Sequence, residues 1–281
     1  MAEITIAGIK RAGTYSPNHI GNDTAIFNAV AEHLRKRGCI VNIYSEDQFI
    51  KQGAKEPVII NMCRDRESVK RLQALEEDGR VVINSGYVIE NCARERMARI
   101  LMGSGVNYPE SIIVNTDEEV KSRLGKLGID HCWIKRGDFQ TIHKEDVSFA
   151  RHSDEAQDVL HEYFYRGIKR AVISKHIAGD MLKFYGVKGQ PFFHWFYPLA
   201  STKPADHQLP AINEQELREK CEHIASELGI DIYGGDCIVS ADGTVWFIDF
   251  NDWPSFAPCR DKAAPYIAKC IIAKAKETIK K

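Results

Sequence analysis

A net charge of one sign is missing from this 281-residue chain, in which 38 Lys+Arg against 39 Asp+Glu leave a formal charge of −1. That balance excludes a polycation that seeks nucleic acid over its whole surface, although a local basic groove would survive it. No apolar run approaches the roughly 20 residues that span a bilayer. The N-terminal MAEITIAGIKR also lacks the basic-then-apolar layout of a secretory signal. A cytoplasmic location is expected, with neither membrane nor nucleic acid as a partner. The eight cysteines (39, 63, 92, 132, 221, 237, 259 and 270) form no Cys-x-x-Cys and no Cys/His pair at zinc-finger spacing. Most sit in apolar runs, such as Cys39 in CIVNIY and Cys237 in DCIVS, which predicts buried free thiols. Repeats, low-complexity tracts, G-x-S-x-G elbows and H-E-x-x-H pairs are absent too. GIKRAG (8–13) has P-loop glycine spacing but runs on into Thr14-Tyr15 instead of Lys-Ser/Thr, so it is not a Walker A motif.

What is present is a globular composition, 44% hydrophobic and 27% charged, with a mean hydropathy of −0.32. The length suits one large domain or two to three small ones. Over the first 90 residues, β-rich runs alternate with helical patterns, the signature of an α/β layer with a parallel sheet. ITIAGI (4–9), CIVNIY (39–44), PVIIN (57–61) and RVVINS (80–85) read as strands. Ala25, Ile26, Ala29, Val30 and Leu34 share one helix face that Gly38 ends, and 67–77 reads as a second helix. From 86 to 170 the pattern changes to helices at 88–102 (closed by Gly103) and 117–127, a strand ending in CWIK (132–135) and a helix at 153–166. Strands at 171–177, 181–187 and 191–197 follow, then a loop at 201–211 and a helix at 214–228 between Asn213 and Gly229. A hairpin and a helix from about 261 close the chain. The lysines of that helix (269, 274, 276, 280 and 281) read as a solvated face.

The chemistry concentrates in GGDCIVSADGTVWFIDFND (234–252). Asp242-Gly243 suits a two-residue type I′ turn, which would set Asp236 opposite Asp249 with Cβ atoms about 5 Å apart. Asn251 would then share the face of Asp249. Ile238 and Phe247 would lie on one face of the hairpin, with Cys237, Val239, Trp246 and Ile248 on the other. Facing carboxylates repel, and a hard divalent cation such as Mg²⁺ with oxygen ligands would neutralise them. Geometry alone leaves this reading beside a second, in which both are solvated strand-end aspartates. A one-residue bulge would part the two side chains.

Asp-x₁₂-Asp-x-Asn, preceded by LGIDIYGGD and followed by Asn251-x-x-Pro254, resembles the metal-binding end of the ATP-grasp superfamily. The resemblance runs over residues 80–260. INSGYVIENCARERMARILMGSGVNYPESIIV (83–114) is similar to that family's helix-rich stretch, with Glu95-Arg96 where Asp-Lys is common. Lys135 matches its strand lysine, 171–189 its hinge and returning strand, and Lys183 the basic residue of that strand. The fold class implied is α/β, turning α+β in the ATP-binding part. An N-terminal Rossmann-like domain (1–90) would precede a small lobe with a lid (91–170) and a C-terminal lobe carrying the metal (171–281). By the same resemblance, Ser174, Lys175, His176 and Ile177 would meet adenine, and Arg96, Lys135 and Lys183 the phosphates of ATP. Asp236, Asp249 and Asn251 would hold one or two Mg²⁺ ions, Mn²⁺ being an alternative. Two departures stand out: RGDFQTIHKEDVSF (136–149) has a single glycine where a glycine-rich lid is usual, and Ser174-Lys175 replaces a common Gln-Glu pair.

The implied activity is a carboxylate-amine ligase working through an acyl phosphate, as in ribosomal-protein glutamate ligases. Its partners would be a small-molecule or peptide carboxylate and an amine, with a homodimer as one form of assembly. The alternatives are a kinase of a polyol or inositol-phosphate hydroxyl and a non-catalytic ATP-binding module, the second favoured by the glycine-poor lid. The loop after the first strand (Lys10, Arg11, Ser16, Asn18) is the candidate wall for the acceptor, faced by Arg260, with Arg11 and Arg260 acting in catalysis. A structural loop with exposed charges explains the same residues.

Overall fold

The computed structural model describes residues 4–15, 20–138, 144–204 and 207–279. Three four-stranded sheets organise them. The first is formed by β1 (Thr5–Lys10), α1 (Ile20–Arg35), β2 (Ile40–Ser45), α2 (Glu46–Gln52), β3 (Val58–Asn61), α3 (Arg66–Glu77) and β4 (Val81–Ile83). Its strands are all parallel in the order β2-β1-β3-β4. Buried Ile6, Ile26, Phe27, Val30 and Leu34 form the face between β1 and α1, and each fully buried aliphatic or aromatic side chain contributes about 1.5–3 kcal/mol. The sequence reading contains no counterpart of α2. Its signal was the capping box of Ser45 with Gln48, both bonds of which are formed.

Next come α4 (Gly86–Asn91) and α5 (Arg94–Gly103), where one helix over 88–102 was expected. The chain breaks at Ala93, which is extended. The start of α5 is capped from outside, the Glu95 N–H donating to the Gly137 carbonyl at 3.0 Å. The second sheet holds β5 (Ser111–Asn115), β6 (Cys132–Arg136), β7 (Val147–Ala150) and β8 (Arg170–Lys175), antiparallel in the order β5-β8-β6-β7. Helices α6 (Lys121–Lys126) and α7 (Ser153–Tyr165) cover it. α6 is much shorter than the expected 117–127. β8 is an inner strand here, so the expected boundary at 170/171 cuts through this sheet.

The third sheet is antiparallel, ordered β10-β9-β11-β12, from β9 (Asp180–Val187), β10 (Phe193–Phe196), β11 (Ile232–Val239) and β12 (Val245–Asp252). α8 (Glu214–Leu228) buries Leu217, Cys221, Ile224 and Leu228 against it. Asn213 caps α8 by accepting from the Glu216 N–H, and Gly229 ends it at φ +80°. The last helix, α9 (Arg260–Ile279), packs mainly on α1 and also touches β9 of the third sheet. Its Ala264, Ile267, Ala268 and Ile271 share one core with α1 and the first sheet. Lys274 is not simply solvated, because it pairs with buried Asp231. Lys280 and Lys281 lie outside the described residues. All eight cysteines are buried and free.

Candidate active site

The hairpin of β11 and β12 carries the expected carboxylates in a register set by two deviations. Its turn holds three residues (241–243), closed by Ser240 N–H to the Thr244 carbonyl at 3.0 Å, with Gly243 at φ +82°. Val239 therefore pairs with Val245 and Cys237 with Phe247, one residue off the two-residue-turn expectation. A bulge at Ile248 then restores the register, so that Asp236 and Asp249 are cross-strand partners after all. The bulge corrects the expected faces. Phe247 goes into the core with Cys237, while Ile248 turns to the same cavity as Ile238. Next to Asp236, Gly235 is required by packing: a Cβ there would stand 2.2 Å from the Asp249 carbonyl oxygen and 2.6 Å from the Phe184 ring.

Asp236 also pairs across to Lys183 on β9, at 2.6 Å. Asp249 is held in a two-pronged grip by Arg94, at 2.9 and 3.3 Å. The row therefore reads Lys183, Asp236, Asp249, Arg94, alternating in charge over three strands and one helix start. Lys135 on β6 donates to the Ile248 carbonyl at 3.2 Å, the group that the bulge turns outward. Burial, with repulsion from Arg94 added, brings Lys135 down to about 8. Burial raises the Asp236 carboxyl above its ordinary range, and Asp249 opposes the nearby lysines in keeping it there.

Arg94, Lys135, Asp236 and Asp249 line one end of a cavity of about 500 Å³, within the usual size of a small-ligand site, whereas Lys183 and Asn251 are not among its lining residues. Ser174, Lys175, His176 and Ile177 line its other end. The backbone N–H groups of Lys175 and His176 are engaged by the Glu110 and His131 carbonyls. Trp133 donates to His176 Nδ1 at 3.2 Å and packs on Phe149. Lys203, paired with Asp180 at 2.6 Å, reaches in from the loop after β10.

Not every expected residue comes to this cavity. Arg96 is exposed and paired with Glu90 at 2.7 Å, outside the cavity; Arg94 stands in its place. The helix period contained that signal, since Arg94 falls in line with buried Met97, Ala98 and Leu101 while Arg96 faces away. Arg11 is consumed by structure: it bonds Asp23 at 2.9 Å and the Met62 and Trp253 carbonyls at 3.2 and 3.3 Å. Burial brings it down to about 10. Arg260 bonds Asn22 at 3.0 Å. The pair thus ties the first sheet to the segments around it and does not face the carboxylates. Lys10 lies beside Arg11, against a far smaller pocket, and Ser16 and Asn18 are outside the described residues. So is the centre of the lid segment (139–143). Its one glycine, Gly137, has a packing duty: a Cβ would meet the Arg170 backbone at 3.0 Å. Asn251 pairs with Gly234 and is half-buried, two residues beyond Asp249.

The donor set fits a hard cation, with hard oxygen ligands on adjacent strands and a carboxyl whose charge is disfavoured as it stands. No group of three or more His, Cys, Asp or Glu exists among the described residues to hold a metal by protein ligands alone. A cation such as Mg²⁺ takes one or two carboxylates and completes its shell with phosphate and water.

No family model matches the sequence, and neither does any curated protein. Solved structures do. A D-alanine–D-alanine ligase from Bacillus anthracis, solved with ATP, superposes with a TM-score of 0.73 at 17% identity, covering 100% of this chain and 99% of that one. A RimK-domain ATP-grasp protein from Sphaerobacter thermophilus gives 0.71 at 14% identity over 95% of this chain and 99% of its own. The ATP-grasp ligase PsnB, solved with a precursor peptide and AMPPNP, gives 0.65 at 17% over 96% and 98%. The chain has the fold of the ATP-grasp superfamily.

Proposed function

We propose that the protein is an ATP-dependent ligase that joins a carboxylate to an amine. The observation that carries the reading is Asp236 and Asp249 set beside Arg94 and Lys135 at one end of a cavity large enough for a nucleotide, with Lys183 paired to Asp236. The adenine would lie toward Ser174 to Ile177, where the Ile177 N–H has no acceptor among the described residues. Asp236, Asp249 and Asn251 would hold Mg²⁺, which when bound supplies positive charge to the β- and γ-phosphoryl oxygens. Lys135, Lys183 and Arg94 would take the remaining phosphate charge.

The chain itself offers no nucleophile at this site. Its part is to orient the acceptor carboxylate in line with the γ-phosphorus and to stabilise charge as the bond to ADP breaks. The amine then attacks the acyl carbon of the acyl phosphate and phosphate leaves. Of the three solved structures named above two are ligases, one with ATP and one with AMPPNP bound, which favours this chemistry over the kinase. No helix of the described residues is long and apolar enough to cross a membrane, in keeping with a cytoplasmic small-molecule or peptide ligase. Incubation with pooled metabolites and γ-labelled ATP tests the reading. A ligase gives free phosphate and an amide; a lasting labelled phosphoester identifies a kinase instead, and unchanged ATP a binding module.

A further inference from the structure

A second cavity, of about 220 Å³, lies where the first sheet's helices meet the start of α5 and the end of β6. Its charged lining is Arg64, Arg66, Lys70 and Arg96 against Glu90 and Asp138, so cations exceed carboxylates by four to two. Three elements lead into it from the nucleotide cavity. β6 carries Lys135 in the first cavity and runs on to Asp138 in the second, and α5 carries Arg94 in the first and Arg96 in the second. β12 runs from Asp249 to Asp252, three residues of strand or about 10 Å, and the Asp252 carboxylate accepts from Arg64 at 2.8 Å. The two cavities share no lining residue, and these three elements span the distance between them.

Its cations divide into a fixed wall and a loose rim. Arg64 is buried and committed to Asp252 and to the Cys63 carbonyl. Arg66 is 74% exposed and approaches Asp138 loosely, at 3.7 Å. Arg96 is exposed in its pair with Glu90, and Lys70 is exposed. Solvent-exposed pairs are weak, so an incoming anion can replace Asp138 or Glu90 as partner at little cost.

We propose that this cavity binds a second anionic group of the acceptor, so that the substrate carries a carboxylate or phosphoryl group besides the carboxylate that is activated. The inference rests on the ligase reading above for the direction in which the acceptor lies. It replaces Arg11 and Arg260, both tied up in the fold, with Arg66, Lys70 and Arg96 as the acceptor's cationic contacts.

Calorimetry on the whole protein with Mg-AMP-PNP bound tests it with three probes: glutarate, 3-phosphonopropionate, and pentanoate, which lacks the second charge. One of the two dianions should bind at least tenfold more tightly than pentanoate, and more weakly as salt is raised. Arg66→Ala/Lys70→Ala should erase that preference, and Lys70→Glu, at the same exposed position, should invert it. The proposal is overturned if no probe binds, if pentanoate binds as well as the dianions, or if the preference survives in the double variant. A titration of the native protein with Mg-AMP-PNP alone separates the two readings. Nucleotide binding without an anion preference removes this inference only, whereas no nucleotide binding removes the ligase reading and the subsite's role with it.

Discussion

Replacing Arg94 by Met removes the cation that balances the facing carboxylates, and the structure sets the size of the effect. Arg94 is 7% exposed and sits 2.9 Å from Asp249. At an effective dielectric of 20, unit charges at that distance attract by roughly 6 kcal/mol. Much of that attraction offsets the desolvation of the two groups. Breaking such a pair when fully buried costs about 3–5 kcal/mol. Asp249 is 21% exposed, and solvent recovers part of the loss, which leaves about 2–3 kcal/mol. For a chain of this length that corresponds to a fall in Tm of about 5 °C.

The sign of the rescue is what distinguishes a metal site from an ordinary ion pair. Arg94→Met leaves Asp236 and Asp249 facing each other with one cation fewer, Lys183 and Lys135 remaining, so Mg²⁺ has more to gain there than in the native protein. Binding at ten times its dissociation constant would return about 1.4 kcal/mol. Asp249→Asn leaves instead a buried guanidinium facing a neutral amide, a loss of negative charge that Mg²⁺ cannot relieve. Melting curves of the three proteins with and without millimolar Mg²⁺ should therefore show a loss in both variants and a clear Mg²⁺ gain in Arg94→Met alone. The reasoning is refuted if Arg94→Met melts with the native protein, or if Mg²⁺ shifts all three equally.

Other changes probe the surroundings. Lys135, brought down to about 8 by burial and Arg94, must be charged to hold phosphate. Mg-ATP affinity should hold below that pH and fall tenfold per unit above it, and Lys135→Arg should remove the break because a guanidinium stays charged. A flat pH profile by calorimetry in the native protein would contradict this. Gly235→Ala forces a Cβ to 2.2 Å from the Asp249 carbonyl; overpacking of this kind costs about 1–3 kcal/mol, and both the urea midpoint and Mg-dependent nucleotide binding should drop. Arg64→Leu removes the ion pair of Asp252, which is 1% exposed, at a cost of about 3–5 kcal/mol. The Arg64→Leu/Asp252→Leu double variant should recover most of that in urea titrations, and failure to recover would assign the loss to packing.

The parts of the fold legible in the sequence are those in which a local period decides the outcome. The parallel sheet and α1 follow from apolar runs and a 3.6-residue face, and α8 follows from Asn213 and Gly229 at its two ends. What was illegible depended on partners far along the chain. Nothing near Arg11 in sequence announces the Trp253 carbonyl that it bonds, so its charge reads as free for a ligand. The start of α5 is likewise capped by a carbonyl just beyond β6, at Gly137. Arg94 lies between these cases. Counting from Met97 and Leu101 puts it inward, but matching Glu95-Arg96 to a family dipeptide favours the outward neighbour.

The hairpin shows how a correct pairing can rest on a wrong turn. The expected two-residue turn would place Asp236 opposite Asp249, and so does the observed three-residue turn, because the bulge at Ile248 cancels the extra loop residue. The two solutions differ in chemistry. Without the bulge, Ile248 would alternate away from Asp249, and its carbonyl would stay in the strand ladder. With it, Ile248 and Asp249 both face the cavity, and the freed carbonyl fixes Lys135 beside the carboxylates. Deleting Ile248 would leave a regular strand in which Phe247 and Phe250 stay in the core and Asp249 still faces the cavity opposite Asp236, but the carbonyl that holds Lys135 would be gone. Such a variant should keep most of its stability and bind Mg-nucleotide more weakly. A deletion that left nucleotide affinity unchanged in calorimetry would show that the bulge does not serve to place Lys135.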